Sequence, residues 1–333
     1  MYTYLIEMLQ CPDCRGELEW TMAERRGDRI EMAEARCRAC AAIYPVHDGI
    51  GVFLTPDLPR DDLWEEVDSH LAEHLRQHPD IERQLMDVPV EALAPADRFF
   101  RALILDERGE YARARDVADE ARLGLYTQEY LACSDRQIEY LLERLSVPDG
   151  PIVDLASGIG HLLEAMARRL TQPIVATDFS PLVLKRDRHR LEFFGLYERV
   201  SLLAFDARRS PFKDGAVKTL TTYQGLSNIR EPGNLLGELR RIASGSFLVV
   251  SIFFPEEDDA NKAAINEMGL SDLLFRRPAL ESFAEAGWQV EIADSCFAKA
   301  HPTPTGIVLE GARVDALPVT ETTLQWCVIL ATR

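Results

Sequence analysis

Ile152-Val153-Asp154-Leu155-Ala156-Ser157-Gly158-Ile159-Gly160-His161-Leu162-Leu163 changes texture three times in one short stretch. An apolar run ends on a carboxylate, a turn of small residues follows, and a helix opens near Ile159. Small residues let backbone approach a ligand closely, and a helix start offers free N–H groups. A turn that cradles a dinucleotide wants Gly-x-Gly-x-x-Gly/Ala, its last small residue packing helix on strand. Here that position is Leu163, and Asp154 would face a pyrophosphate. The stretch suits a ligand without phosphate.

Downstream of it, short apolar runs alternate with amphipathic segments. Residues 151–155, 173–177, 200–205, 217–223, 246–253, 288–292 and 324–331 read as buried strands. Helical periodicity fills the gaps at 162–170, 181–194 and 234–242. Strand and helix in alternation predict an α/β fold, a doubly wound, Rossmann-like and largely parallel seven-stranded sheet. Residues 297–323 are irregular and Pro-rich, suited to an extra strand pair or a loop over the site.

Upstream, residues 61–145 read as helical and polar. Trp64, Val67, Leu71 and Leu75 fall at helical spacing, as do Ile138, Leu141, Leu142 and Leu145. Pro79 and Pro95 divide the segment into several helices. The expected organisation is 1–54, then a helical cap over 61–145, then the sheet domain over 146–333.

Residues 1–54 hold two Cys-x-x-Cys knuckles, Cys11/Cys14 and Cys37/Cys40, with 22 residues between them. One turn supplies two thiolates, and two turns complete a tetrahedral zinc site with no open position. Such a site is structural, and a segment this small needs a staple. With no signal-like N-terminus and no run near the ~20 residues of a spanning helix, a cytoplasmic protein without membrane contact is expected.

Two resemblances follow. The knuckles and the tail Ile43-Tyr-Pro-Val-His-Asp-Gly-Ile50 resemble the zinc-ribbon activator subunits that pair with tRNA, rRNA and protein methyltransferases. That likeness implies a ribbon that extends the sheet edge of its catalytic partner, here in cis. Residues 126–333 resemble class I S-adenosylmethionine-dependent methyltransferases, with Ala156 in place of the first motif glycine and Gly158 and Gly160 keeping the others. The resemblance implies that Asp154 helps hold the amino acid end of that cofactor. Asp178, about 20 residues on at the next strand end, sits where a carboxylate accepts both ribose hydroxyls; Phe179 follows it. Asp206 then meets the adenine amino group and the Ala207 N–H meets the ring.

The acceptor side leaves the fourth strand at Thr221-Thr-Tyr223-Gln224-Gly225-Leu226-Ser227-Asn228-Ile229. It lacks the Asn/Asp-Pro-Pro-Tyr phrase for planar nitrogens and resembles quinone-biosynthesis C-methyltransferases and related small-molecule enzymes. Tyr223 and Gln224 are placed near the methyl group, and Asn228 is placed to orient a polar acceptor. Tyr126 and Tyr130 of the cap are candidates to close over the site. No general base stands out: His161 reads as solvated, and His70, His74 and His78 as a polar helix flank. Glu256–Asp259 read as a solvated loop, and Cys133, Cys296 and Cys327 as core.

The expected activity is therefore methyl transfer to a small molecule, with a homodimer left open. An RNA methyltransferase gripping its substrate with the ribbon is the alternative. The formal charge of −18, and six Arg, no Lys and ten carboxylates through Asp57, weigh against it. Its basic surface would have to come from Arg186, Arg188, Arg190, Arg208 and Arg209. A further alternative is a cofactor-binding scaffold, or a protein using the sulfonium for other chemistry.

Overall fold

Two glycine-bearing hairpins and a short helix make the N-terminal module. In the computed structural model, which describes residues 1–56, 71, 73–147 and 149–333, it contains α1 (Leu5–Met8), β1 (Leu18–Arg26), β2 (Arg29–Cys37), β3 (Ile43–His47) and β4 (Ile50–Val52). Strand β2 alternates buried and exposed side chains, as a half-covered strand must. The cap follows as α2 (Pro79–Asp87), α3 (Pro95–Glu107), α4 (Tyr111–Leu125) and α5 (Gln128–Leu145). Proline opens α2 and α3, where its missing N–H costs nothing. Trp64, Val67 and His70, with residues 57–70 and 72 generally, lie outside the described residues.

The remaining elements are β5 (Ile152–Asp154), α6 (His161–Arg169), β6 (Ile174–Asp178), α7 (Pro181–Phe193), β7 (Val200–Ala204), β8 (Val217–Tyr223), α8 (Pro232–Ile242) and β9 (Ala243–Phe253). Then come α9 (Asp259–Glu267), α10 (Ser271–Leu274), α11 (Arg276–Glu285), β10 (Gln289–Ala300) and β11 (Thr322–Thr332). Each of the seven strands expected after residue 150 is present. Helix α6 starts at His161, two residues later than expected, because Gly160 precedes it in the left-handed region at φ 75°.

Among the described residues the sheet has 11 strands, not seven, in the order β1-β2-β3-β4-β7-β6-β5-β8-β9-β11-β10. The N-terminal module adds its four strands to the edge of the catalytic sheet. Ile50, Gly51 and Val52 run parallel to Leu202, Leu203 and Ala204, and the Phe53 N–H donates to the Ala204 carbonyl at 2.7 Å. Gly51 is required by this approach: a Cβ there would lie 2.8 Å from Leu203 Cδ2. Arg29 clamps the joint, donating to the Val200 and Tyr197 carbonyls while its guanidinium lies 4.0 Å from the Tyr197 ring centre. The ribbon thus extends the sheet edge, as the resemblance implied, within the same chain.

Strands β4 to β9 are parallel neighbours, and β11 and β10 return antiparallel. One core packs α8, α11 and the N-terminal module against one face of the sheet, and another packs α5, α6 and α7 against the opposite face. No extra strand pair forms within 301–321; β10 instead runs on to Ala300 and the chain then loops back. Three backbone N–H groups of that loop, from Ile307, Val308 and Leu309, converge on Asp97 of α3 at 2.8, 3.1 and 3.0 Å. The wholly buried Asp97 carboxylate thereby stitches the loop to the cap. On the other side Asn261 of α9 accepts from the Val319 N–H at 2.7 Å.

Candidate functional site

The turn after β5 places three residues in left-handed conformation: Ala156 at φ 52°, Gly158 at 54° and Gly160 at 75°. Glycine does this without strain, whereas Ala156 carries a Cβ penalty of about 1–2 kcal/mol. At Gly160 a Cβ would run into the Arg190 guanidinium and lie 2.9 Å from Asp187 Oδ1. Arg190 in turn donates to the Ile159 carbonyl at 2.6 Å, so α7 props the turn from behind. Asp187 is buried with that arginine, and burial pushes its carboxyl up to about 8.

The turn, the tips of β5 to β8, the cap and the 301–321 loop enclose one cavity of about 990 Å³. Parallel neighbours β5, β6 and β7 end at the same level, so Asp154, Asp178 and Asp206 reach this cavity together. Ala156, Gly158, Phe179, Ala207, Tyr223, Gln224 and Asn228 line it as well. Gly160 does not; it lies behind the turn against α7.

Each acid has a different environment. Asp154 is 1% exposed; its Oδ2 accepts from Ser157 Oγ at 2.9 Å, and its Oδ1 has no partner among the described residues. Burial raises its carboxyl to about 7, opposed by the Ser157 bond and aided by the nearby Asp178 charge. Asp178 accepts from the Gly158 N–H and the Ser180 N–H, both at 3.0 Å, which fixes its orientation. Asp206 forms an ion pair with Arg208, whose Nη2 lies 2.6 Å from Oδ2, and accepts from the Arg208 N–H at 2.9 Å. Residue spacing carries no sign of that pairing.

At the fourth strand end Tyr223 is bonded to Ser134 of α5 at 2.7 Å, and Gln224 adopts φ 58°. Tyr126 and Tyr130 stack at 4.7 Å, with the Tyr126 hydroxyl donating to Asp315 at 2.9 Å. Both tyrosines therefore face the cavity from the cap. His161 keeps the solvent exposure expected of it but lines the cavity, where the surrounding protein, then the Arg122 and Arg190 charges, lower its imidazole to about 4. Sequence reading missed Arg122, Ser134 and Asp315. Ser134 lies one helical turn beyond Tyr130, so the face of α5 that presents the tyrosine also presents the serine.

Elsewhere, Asp258 caps α9 by accepting from the Asn261 N–H at 3.2 Å. Cys133 and Cys327 are buried and Cys296 half-buried. His74 and His78 rings lie 4.7 Å apart and belong to no metal-ligand cluster among the described residues.

The four sulfurs of Cys11, Cys14, Cys37 and Cys40 lie within 4.8 Å of one another, two pairs at 3.6 and 3.4 Å. Zinc–sulfur bonds of ~2.3 Å in a tetrahedron put sulfurs about 3.8 Å apart, so the donor set fits one zinc ion. Backbone N–H groups of Ala39 and Cys40 point at Cys37 Sγ, as they do toward a thiolate. The cluster is a structural zinc site about which both hairpins fold.

Residues 152–244 match the family described as a methyltransferase domain, and residues 3–49 match the family described as Trm112p-like protein. The demethylmenaquinone methyltransferase of Thermus thermophilus is 39% identical over 106 residues, 31% of this chain and 47% of that protein. The ubiquinone/menaquinone biosynthesis C-methyltransferase UbiE of Burkholderia mallei is 33% identical over 109 residues, 32% of this chain and 44% of that protein. The match thus spans less than half the length of either relative. The solved YcgJ protein of Bacillus subtilis aligns with 60% of this chain and 98% of its own at 14% identity and a TM-score of 0.47. One polypeptide here thus combines a region similar to the Trm112p-like family, over residues 3–49, with a region similar to the methyltransferase-domain family, over residues 152–244.

Proposed function

We propose that this chain transfers a methyl group from S-adenosylmethionine to a small-molecule acceptor in a reducing, cytoplasmic compartment, with the ribbon as a structural module. The observation that carries the reading is the convergence of Asp154, Asp178 and Asp206 on one cavity, with one buried carboxylate oxygen left without a partner among the described residues. A cationic amine fits that orphan oxygen, which would otherwise lose its solvation uncompensated. A pyrophosphate there would meet like charge.

When bound, the cofactor supplies an electrophilic methyl on a sulfonium. The protein's task is then alignment, exclusion of water and recognition. In this reading Asp154 receives the amine and Asp178, already oriented by two N–H bonds, accepts the ribose hydroxyls. Asp206 and Ala207 meet the adenine, the Arg208 pair holding the Asp206 carboxylate in place. Ala156, Gly158 and Phe179 form the adjoining walls. Tyr223, Gln224 and Asn228 face the acceptor, beneath the cap tyrosines and the 301–321 loop.

A small acceptor agrees with a cavity roofed by cap and loop and with the quinone-pathway names of the two relatives. An RNA grip finds little support. Arg188 pairs with Glu31 and Glu192, Arg190 with Asp187, Arg208 with Asp206 and Arg209 with Asp13, so these cations are largely neutralised. No helix among the described residues is long and apolar enough to cross a membrane.

Calorimetric titration with S-adenosylhomocysteine tests the cofactor assignment: binding is expected, and Asp178→Ala is expected to weaken it at least tenfold. A tritiated-methyl assay against total RNA and a metabolite extract tests the acceptor class. Label confined to RNA would overturn the small-molecule reading.

A further inference from the structure

The cavity has two electrostatic ends. The strand tips present carboxylates, whereas the cap brings in Arg122 from α4. Arg122 donates to Ser134 Oγ at 3.2 Å and to Asp135 Oδ1 at 2.7 Å, both through Nη2. A guanidinium carries five N–H donors. The protons on Nε and Nη1 therefore have no acceptor among the described residues.

Ser134, 3% exposed, links this guanidinium to Tyr223 at 2.7 Å. A serine oxygen that accepts from arginine can donate its own O–H to the tyrosine oxygen. The Tyr223 O–H is then released to donate elsewhere, and the cavity is the space it lines. Apolar and aromatic side chains, among them Tyr130, Ile138, Phe100, Phe254, Leu270 and Leu274, line the same cavity. Of the carboxylates on this side, Asp135 is engaged by Arg122 and Asp315 by the Tyr126 hydroxyl, while Asp119, one turn before Arg122 on α4, is exposed.

Building on the cofactor-and-acceptor reading of the cavity, we propose that the Arg122–Ser134–Tyr223 chain is a head-group subsite. It seats an anionic oxygen of an acceptor whose body is apolar. A neutral apolar molecule pressed against Arg122 would strip water from its spare donors and return nothing, a loss that buried unpaired donors make expensive. A carboxylate or phenolate oxygen returns charge-assisted hydrogen bonds from the guanidinium and one from the tyrosine. Apolar packing on the aromatic wall supplies affinity, and the anion fixes orientation.

The test uses the full chain saturated with S-adenosylhomocysteine and, as probes, decanoate and 2-naphthoate beside decanamide and 2-naphthamide, followed by calorimetry. Each acid is expected to bind at least tenfold more tightly than its amide. Arg122→Gln and Ser134→Ala should erase that preference while S-adenosylhomocysteine affinity, which reports an intact fold, stays within twofold. Arg122→Lys should retain part of it. Equal binding of acid and amide to the unmodified protein overturns the proposal, as does a preference that survives Arg122→Gln. So does the failure of all four probes to bind a protein that still takes S-adenosylhomocysteine. Failure of S-adenosylhomocysteine itself would instead overturn the cofactor reading beneath it.

Discussion

Titrating S-adenosylhomocysteine into the protein from pH 5 to pH 8 exposes the electrostatics of Asp154. In the ligand-free fold its carboxyl is raised from 3.8 to about 7, chiefly by burial. At roughly 1.4 kcal/mol per unit, ionising it there costs about 4 kcal/mol more than in water. An ammonium group at the free Oδ1 offsets that cost, so the occupied site holds the carboxylate ionised throughout this range. Binding must then expel a proton wherever the empty site is protonated. Affinity should rise by up to tenfold per pH unit below about 7 and level off above it, roughly ninety-fold between pH 5 and 8.

At pH 7 about half a proton should be released per ligand, measurable by calorimetry in buffers of different ionisation enthalpy. The ligand's amine titrates above this window and its carboxylate below it. His161, lowered to about 4, is silent here, but Asp187, raised to about 8, is not, so Asp187→Asn serves as the control. Asp154→Asn should bind weakly and with no slope. The sign for stability is opposite: a carboxyl whose folded pKa is raised destabilises the empty fold as pH climbs from about 4 to 7. The asparagine variant should gain in melting temperature over the unmodified protein across that interval. A flat binding profile for the unmodified protein, or a slope that survives in Asp154→Asn, would refute the argument.

Metal analysis should return about one zinc per chain, and Cys11→Ser or chelation should open residues 1–54 to protease while lowering the melting temperature. Gly225→Ala would put a Cβ 2.7 Å from that of Ala156 and 2.6 Å from Thr222 Oγ1, an overpacking worth about 1–3 kcal/mol in chemical denaturation. Ala156→Gly should itself be neutral to about 1 kcal/mol stabilising by releasing the left-handed strain, and should recover part of the Gly225→Ala loss; strict additivity would show the two sites are uncoupled. Asp97→Asn turns an acceptor of three N–H bonds into a group that partly opposes them, costing about 1–3 kcal/mol. Faster amide exchange at 307–309 would report the loop coming loose, and unchanged exchange would sink the latch.

Ribbon and sheet were legible for different reasons. Metal ligation and backbone turns are local, so two Cys-x-x-Cys knuckles and the Asp154-to-Gly160 turn declare themselves within a few residues. Buried parallel strands read as apolar runs because both faces are covered, which is why β5 to β9 could be located; the antiparallel β11 is buried enough to read the same way, whereas β10 is largely exposed and only its first residues were legible. The Arg208 pairing of Asp206, by contrast, depends on a side-chain conformation that spacing does not encode, although only two residues separate the partners. The cap residues were harder still. Arg122 and Ser134 sit on helices whose amphipathic pattern assigns one face to packing, and nothing local distinguishes a cavity-facing polar residue from a solvated one.

By itself, then, the sequence determined an α/β chain with a cysteine-held module ahead of it and three acids timed to successive strand ends. These are consequences of periodicity and of what single turns can hold. Tertiary structure decided the strand order, the insertion of Ile50–Val52 beside β7, and the enclosure of those acids under the cap and the 301–321 loop. The ribbon insertion and the enclosure rest on contacts between residues more than a hundred positions apart, such as Ile50 with Leu202, Asp97 with Leu309 or Tyr126 with Asp315, whose energies exist only once distant surfaces meet.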